Sequence, residues 1–324
     1  MPVYDETSQP AVSVVIPAYR ASLDIAVALD SVFSQTFAPF EVIVVNDGSP
    51  DTPALEAALA RYRSSIRYLA QSNRGAGAAR NTGIRVARGR YIAFLDADDS
   101  WTPDFLARQV AYLEANPGCA LVYADARVSG ESPLAGRRVM ETAPSTGDVT
   151  LISLIEQRCN VLLSTVVMHR EPLFEAGLFE ESLRRGQDFD LWLRLALRGA
   201  TFSYQPLVLA ERRVRAEGLS ADAIAEIQRS LHVLDRFGRR HHLDRGVRTA
   251  LRVRMMRLVD RLEIELAKQR IVEGNFAAAR YHFAAARHRP WTVRAAQLAL
   301  KISPRLLRAA YTFWLQPISL TSGQ

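Results

Sequence analysis

A chain of 324 residues with net charge +7 and 48% hydrophobic side chains has the composition of a globular protein, long enough for one large domain with an extension or for two domains. Its two cysteines, Cys119 and Cys159, exclude a disulfide framework and fit a reducing compartment. No run of ~18 apolar residues reads as a spanning helix, and residues 1–6 lack the basic-then-apolar order of a secretory leader.

The first hundred residues alternate strand and helix. Residues 12–17 predict a strand, residues 22–35 a helix, and residues 41–45 a second strand ended by the turn Asn46-Asp47-Gly48-Ser49-Pro50. A helix over 53–63, a strand at 66–69, a helix over 76–87 and a strand at 90–95 follow. Nearly continuous apolar strands separated by helices imply a parallel sheet covered on both faces, with ligands gathered at the carboxyl ends of the strands. Tyr19, Asn46-Asp47 and Asp96-Ala97-Asp98-Asp99 all fall just past strand ends, so one edge of the sheet is expected to hold a binding crevice.

The three carboxylates of residues 96–99 would repel one another and lose hydration at the end of a buried strand. They call for a cation or strong donors, and hard oxygen ligands suit Mg²⁺ or Mn²⁺ holding a diphosphate. The plainer reading is a helix cap, since Ser100-Trp101-Thr102-Pro103-Asp104 looks like a helix start.

Further along, residues 103–116 predict a helix and residues 120–125 a strand. Residues 127–147 lack periodicity and read as a long loop of the kind that serves as a lid or binding loop. Between 148 and 210 the order is helix, strand at 165–168, helix, the segment Gln187-Asp188-Phe189-Asp190-Leu191-Trp192, and strand. Beyond Ser220 the pattern is helical, and residues 274–280 resemble the turn and second helix of a tetratricopeptide-like hairpin.

Charge is unevenly spread along these elements. Residues 1–200 carry 19 basic and 24 acidic side chains, residues 201–324 carry 22 and 10. The basic last third suits nucleic acid, anionic lipid or an anionic acceptor, or is a solvated arginine-rich surface. Within it, Leu298, Leu300, Ile302, Leu306, Leu307, Tyr311, Phe313 and Trp314 mix with Arg294, Lys301, Arg305 and Arg308, and Pro304 should break or start a helix. Such a segment either lies on an anionic membrane or packs its apolar face on the rest of the protein.

The ordered set Val14-Val15-Ile16-Pro17-Ala18-Tyr19, Val44-Val45-Asn46-Asp47-Gly48-Ser49, Asn73-Arg74-Gly75 through Ala79-Arg80-Asn81, and Leu95-Asp96-Ala97-Asp98-Asp99 resembles family 2 glycosyltransferases over about residues 11–215. The resemblance implies an α/β GT-A fold with a Rossmann-like mixed sheet. It also implies a nucleotide-sugar donor, UDP-sugar being favoured, a divalent metal, and inversion at the anomeric carbon. It divides the chain into a nucleotide-sugar-binding half (1–110), an acceptor-side half (111–218) and a basic helical C-terminal extension (219–324).

By the same resemblance Pro17, Tyr19, Asp47, Gly75, Arg80, Asp96 and Arg215 contact the donor. Tyr19 would pack on the base and Asp47 would accept from its N–H, while Arg80 would meet the diphosphate. Asp96 and Asp98 take the metal positions, and Asp99 supports the site or caps the next helix. Asp188 is the base that deprotonates the acceptor hydroxyl. Asp190 reads as a first-turn helix charge.

Gln187 stands where the family carries glutamate, which removes a charge that could raise the pKa of Asp188. Arg215 stands where many members carry histidine; it cannot ligate a cation but could contact phosphate, so weaker metal dependence is expected. The implied acceptor is a glycan or a lipid-linked glycan rather than nucleic acid. The implied location is cytoplasmic, with peripheral contact at the inner face of the cell membrane. A non-catalytic sugar-nucleotide or polysaccharide-binding module is the rival reading. A nucleotidyltransferase is disfavoured by the lack of its glycine-rich N-terminal signature.

Overall fold

The computed structural model describes residues 9–214, 223–287 and 291–315. Its contacts divide the chain into two compact units, Met1–Gly218 and Leu219–Gln324.

The first unit begins β1 (Val12–Ala18), α1 (Ile25–Phe33), β2 (Phe40–Asp47), α2 (Thr52–Leu59), β3 (Arg67–Gln71), α3 (Ala76–Val86) and β4 (Tyr91–Phe94). It continues β5 (Ser100–Trp101), α4 (Phe105–Ala115), β6 (Leu121–Gly130), α5 (Leu151–Ile155), β7 (Val167–His169), α6 (Arg170–Glu175), α7 (Gln187–Leu197) and β8 (Phe202–Val214). The strands form one sheet in the order β3-β2-β1-β4-β7-β6-β8-β5. β3, β2, β1 and β4 are parallel, as the alternation of largely apolar strands with helices implies. β7 then enters antiparallel between β4 and β6, so the sheet is mixed beyond the half that the alternation described.

Successive strand residues point to opposite faces, and both faces are covered. Val14, Ile16, Val42 and Val44 join Ile25 and Leu29 of α1 in one buried cluster. Val15 and Val45 face α3, which comes so close that a Cβ on Gly83 would stand 2.6 Å from Val15 Cγ1.

Two local expectations are corrected. Residues 100–104 do not start a helix: Ser100 and Trp101 form β5 against Glu211 and Ala210 of β8, and the helix begins at Phe105. The Trp101 indole N–H donates to Ser164 O at 2.6 Å, and its ring stacks on Phe105 at 4.2 Å. These are partners far along the chain that no local pattern announces.

Nor is 127–147 wholly loop, because β6 runs on to Gly130 alongside β8. Register shifts around Asp125 mark a bulge, which breaks the two-residue alternation and hides the strand's second half. The remainder holds a short 3₁₀ turn, Val139–Glu141, tied back by Met140 N–H to Asp125 Oδ1 at 3.1 Å.

The second unit is helical: α8 (Ala223–Arg240), α9 (Arg245–Glu273), α10 (Phe276–Ala285), α11 (Trp291–Ile302) and α12 (Pro304–Leu315). Asp244 caps α9 by accepting Val247 N–H at 2.8 Å, and left-handed Gly274 closes it before α10, giving the expected helical hairpin. Pro304 opens α12, where its missing N–H costs nothing. Ile271, Phe283, Val293 and Leu300 share a core cluster of this unit. Among the described residues no helix is long and apolar enough to cross a membrane.

Candidate active site

The polar residues predicted past the strand ends gather at the carboxyl edge of β1, β2 and β4. Pro17 has no N–H to donate, yet lies in a strand with neighbours on both sides. Val15 O accepts Leu95 N–H on the β4 side, and residues 15 and 17 face the same way. β4 pairs with β1 only as far as Val15, so Pro17 stands where that neighbour has ended and the crevice opens. Tyr19 follows, 46% exposed, with the Arg20 guanidinium 5.6 Å from its ring centroid. Arg20 is held by its N–H to Ser49 Oγ at 2.6 Å.

Asn46 and Asp47 end β2 and are buried. Asn46 builds the turn: its Oδ1 accepts Ser49 N–H, and its amide donates to Thr52 Oγ1 and the Tyr68 hydroxyl, each at 2.9 Å. Asp47 Oδ1 accepts from Gln71 Nε2 at 2.7 Å and Arg74 N–H at 2.9 Å, and Oδ2 accepts Gly75 N–H at 2.7 Å. The carboxylate thus fastens the chain between β3 and α3 and retains free acceptor capacity on Oδ2. Gly48 lies against the same segment at φ +61°, and a Cβ there would stand 2.6 Å from Asn73 N. Gly75 has φ +92° at the start of α3, a conformation side chains resist.

Arg80, one turn into α3, is buried and pairs with Asp96 Oδ1. Its guanidinium lies 5.6 Å from the Phe179 ring centroid, and among the described residues its Nε has no hydrogen-bond partner. An unsatisfied buried guanidinium N–H is costly unless a ligand oxygen completes it.

Asp96 is partly open, with 39% of its side chain exposed. Asp98 also reaches solvent, but nearby protein mass and the Asp96 charge raise its pKa, against Arg212 and Arg213, which lower it. Asp99 is buried, and its pKa is pushed up to about 8 by desolvation first and then by Asp96 and Asp98. Its Oδ1 accepts Arg213 N–H at 2.9 Å, and Ser164 also hydrogen-bonds it. Asp99 therefore supports the loop from within, and the alternative of capping the next helix is corrected.

The crowding of three carboxylates with an all-oxygen donor set fits a hard divalent cation. Among the described residues no cluster of three His, Cys, Asp or Glu ligands exists. Asp96 and Asp98 would supply two ligands, and phosphate oxygens the rest.

Asp188 lies in the first turn of α7 and is half-buried. α7 is brought to the crevice through Gln187, whose Cγ would stand 3.3 Å from a Cβ on Gly77 of α3. Asp190 is buried and bound to Arg194 Nε at 2.8 Å, and Arg194 also donates to the carbonyls of Ala176 and Leu178. It staples α7 to the preceding segment, consistent with a structural reading. Arg215 lies outside the described residues.

Several contributors either stand in the motif without a role, as Asn73, Arg74 and Asn81 do, or were not singled out from sequence at all. Asn81 clamps Phe179 by accepting its N–H at 2.9 Å and donating to its carbonyl at 2.8 Å. Glu181 binds Asn81 at 3.0 Å and pairs with Arg74 and Arg85. Arg184 donates to Asn73 Oδ1 at 3.2 Å beside Gly75. These links hold residues 179–184 over the start of α3, and only their position next to Asp188 could have signalled them. A cavity of about 570 Å³ in the helical unit, lined by Leu251, Met255, Met256 and Val259, contains none of the crevice residues.

The family model described as glycosyl transferase family 2 matches residues 13–170. The chain is 31% identical to the amylovoran biosynthesis glycosyltransferase AmsB of Erwinia amylovora, over 71% of this chain and 72% of that one. It is 28% identical to a UDP-Glc:alpha-D-GlcNAc-diphosphoundecaprenol beta-1,3-glucosyltransferase, WfaP of Escherichia coli, over 71% and 88%. An uncharacterized glycosyltransferase of Rickettsia bellii is 31% identical over 65% of this chain, and the match spans only 31% of that longer relative. Among solved structures, the mannosyltransferase PcManGT from Pyrobaculum calidifontis with GDP-Man and Mn²⁺ superposes with TM-score 0.64 at 21% identity, covering 97% of this chain and 88% of that one. S. aureus TarS 1-349 with UDP-GlcNAc gives 0.60 at 18%, covering 94% and 92%. The chain belongs to glycosyltransferase family 2 and has its GT-A fold.

Proposed function

We propose that this protein is an inverting glycosyltransferase that moves a sugar from a UDP-sugar to a hydroxyl of a glycan or lipid-linked acceptor. The observation that carries the reading is the buried Arg80, paired with Asp96 yet with an Nε unpartnered among the described residues, at the strand edge where Tyr19, Asp47 and Asp98 also gather. Tyr19 offers a face for the base, and Oδ2 of Asp47 has capacity for one more donor, such as a base N–H. The Arg80 fork meets diphosphate oxygens.

Asp96 and Asp98 would hold a divalent cation, which when bound would supply positive charge to stabilise the departing diphosphate. Asp188 accepts the proton of the acceptor hydroxyl as that oxygen bonds to the anomeric carbon and the bond to the diphosphate breaks. Attack from the face opposite the leaving group inverts the centre. WfaP, by its name, acts on a diphosphoundecaprenol-linked sugar, which supports a lipid-linked acceptor and work at a membrane surface.

The test is calorimetric titration of UDP with and without Mn²⁺, followed by turnover of UDP-sugars by the wild type and Asp188→Asn. Metal-enhanced UDP binding with turnover lost in the variant is expected. UDP binding without turnover of any donor would favour a non-catalytic binding module, the reading that Gln187 keeps open. No UDP binding would move the search to GDP- and dTDP-sugars.

A further inference from the structure

The apolar residues of the last two helices fall into two rows, and the core uses only one. Val293, Ala296 and Leu300 are buried in the helical unit's core, with Leu307 packed against it. Leu298, Ile302 and Leu306 are 59%, 74% and 73% exposed. α11 and α12 are nearly continuous, because Ser303 N–H reaches Ala299 O at 2.8 Å and Leu307 N–H reaches Ser303 O at 3.1 Å across Pro304. At about 100° per residue the buried row occupies an arc of roughly 60°, and the exposed row centres about 150° away from it.

Arg294, Lys301 and Arg305, all exposed, fall beside the exposed row on the same outward side. After Glu273 the remaining 51 residues contain seven Lys or Arg and no Asp or Glu. Three large aliphatics standing in water beside a row of cations, with no counter-charge in the sequence around them, match one environment closely. That environment is the boundary between anionic headgroups and acyl chains.

We infer that Leu298, Ile302 and Leu306 insert into the surface of an anionic bilayer, with Arg294, Lys301 and Arg305 on its headgroups. The inference deepens the proposal of a lipid-linked acceptor and rests on it for its biological purpose, while the surface itself is tested apart from donor chemistry. Neither helix crosses the bilayer; both lie along it.

The full-length protein is co-sedimented with vesicles of equal parts phosphatidylglycerol and phosphatidylcholine, and with pure phosphatidylcholine vesicles, at low and high salt. Binding to the anionic vesicles, weakened by salt, is expected. The triple variant Leu298→Ser/Ile302→Ser/Leu306→Ser should lose at least about tenfold in partitioning, and its exposed positions leave the core intact. Arg294→Gln/Lys301→Gln/Arg305→Gln should weaken binding to anionic vesicles and flatten its salt dependence. Wild-type protein that ignores anionic vesicles at low salt overturns the inference, as does a triple Ser variant that binds like wild type. So does a row that instead joins two copies, seen as a dimer that the triple Ser variant makes monomeric. UDP titration of the same samples separates the cases: lost UDP binding with intact vesicle binding faults the donor reading, and the reverse faults the membrane surface.

Discussion

Asp47 Oδ2 accepts the backbone N–H of Gly75 at 2.7 Å, joining the end of β2 to the start of α3. The residue assigned to the nucleotide base thus also fastens the loop on which the donor would rest. Asp47→Ala leaves the N–H groups of Arg74 and Gly75 and the Gln71 amide without their acceptor. A loss of about 1.5–3 kcal/mol in urea unfolding is expected, together with weakened UDP binding. A variant with unchanged stability would show that the clamp is dispensable.

Gly48 should tolerate no side chain. Gly48→Ala places a Cβ 2.6 Å from Asn73 N at φ +61°, so a destabilisation of more than about 1 kcal/mol is expected. Thermal unfolding reads it directly, and Gly118→Ala, where a Cβ would meet nothing within 4 Å, is the control.

Asp98→Asn should separate fold from function. The aspartate pays desolvation and repulsion from Asp96, which raise its pKa. Removing its charge is expected to raise the melting temperature of the ligand-free protein while abolishing the enhancement of UDP binding by Mn²⁺. A variant that melts lower and keeps the Mn²⁺ effect would count against Asp98 as a ligand.

Acid should loosen the segment that precedes Asp188. The Asn81 hydrogen bond, with help from Arg74 and Arg85, holds Glu181 below its ordinary pKa of 4.5 despite some burial. A depressed folded pKa means that the stabilisation is present above the unfolded value and is lost as pH falls through the folded one. Protection factors for hydrogen exchange at Phe179 and neighbouring amides should therefore fall below about pH 4.5, and Glu181→Gln should remove that pH dependence.

Asp188→Asn is expected to bind UDP as the wild type does and to lose roughly 10²–10⁴-fold in transfer rate, measured as UDP release with acceptor present. Asp190→Asn should instead lower stability, because Arg194 would lose its charged partner inside the protein.

Periodicity and motif spacing were enough to place the first four strands, the helices between them, and a crevice at their carboxyl ends. The reason is physical: strands buried on both faces must be apolar throughout, so a polar residue at each exit stands out. Tyr19, Asp47 and Asp96 stood out for that reason, and Arg80, inside a helix, only through the family resemblance. What remained hidden depends on partners distant in the chain. Trp101 became a strand residue because β8 and Ser164 were there to receive it. The second half of β6 lost its alternation to the bulge at Asp125. Asp99 turned inward to Ser164 and Arg213, and Asn81 and Glu181 gained their roles from Phe179, Arg74 and Arg85. In the last helices the sequence alone determined that basic and apolar residues would alternate around a helical axis. Only the tertiary structure decided which apolar row the core would take, because a core fills when its own volume is packed, and the row left over meets water or whatever lies beyond it.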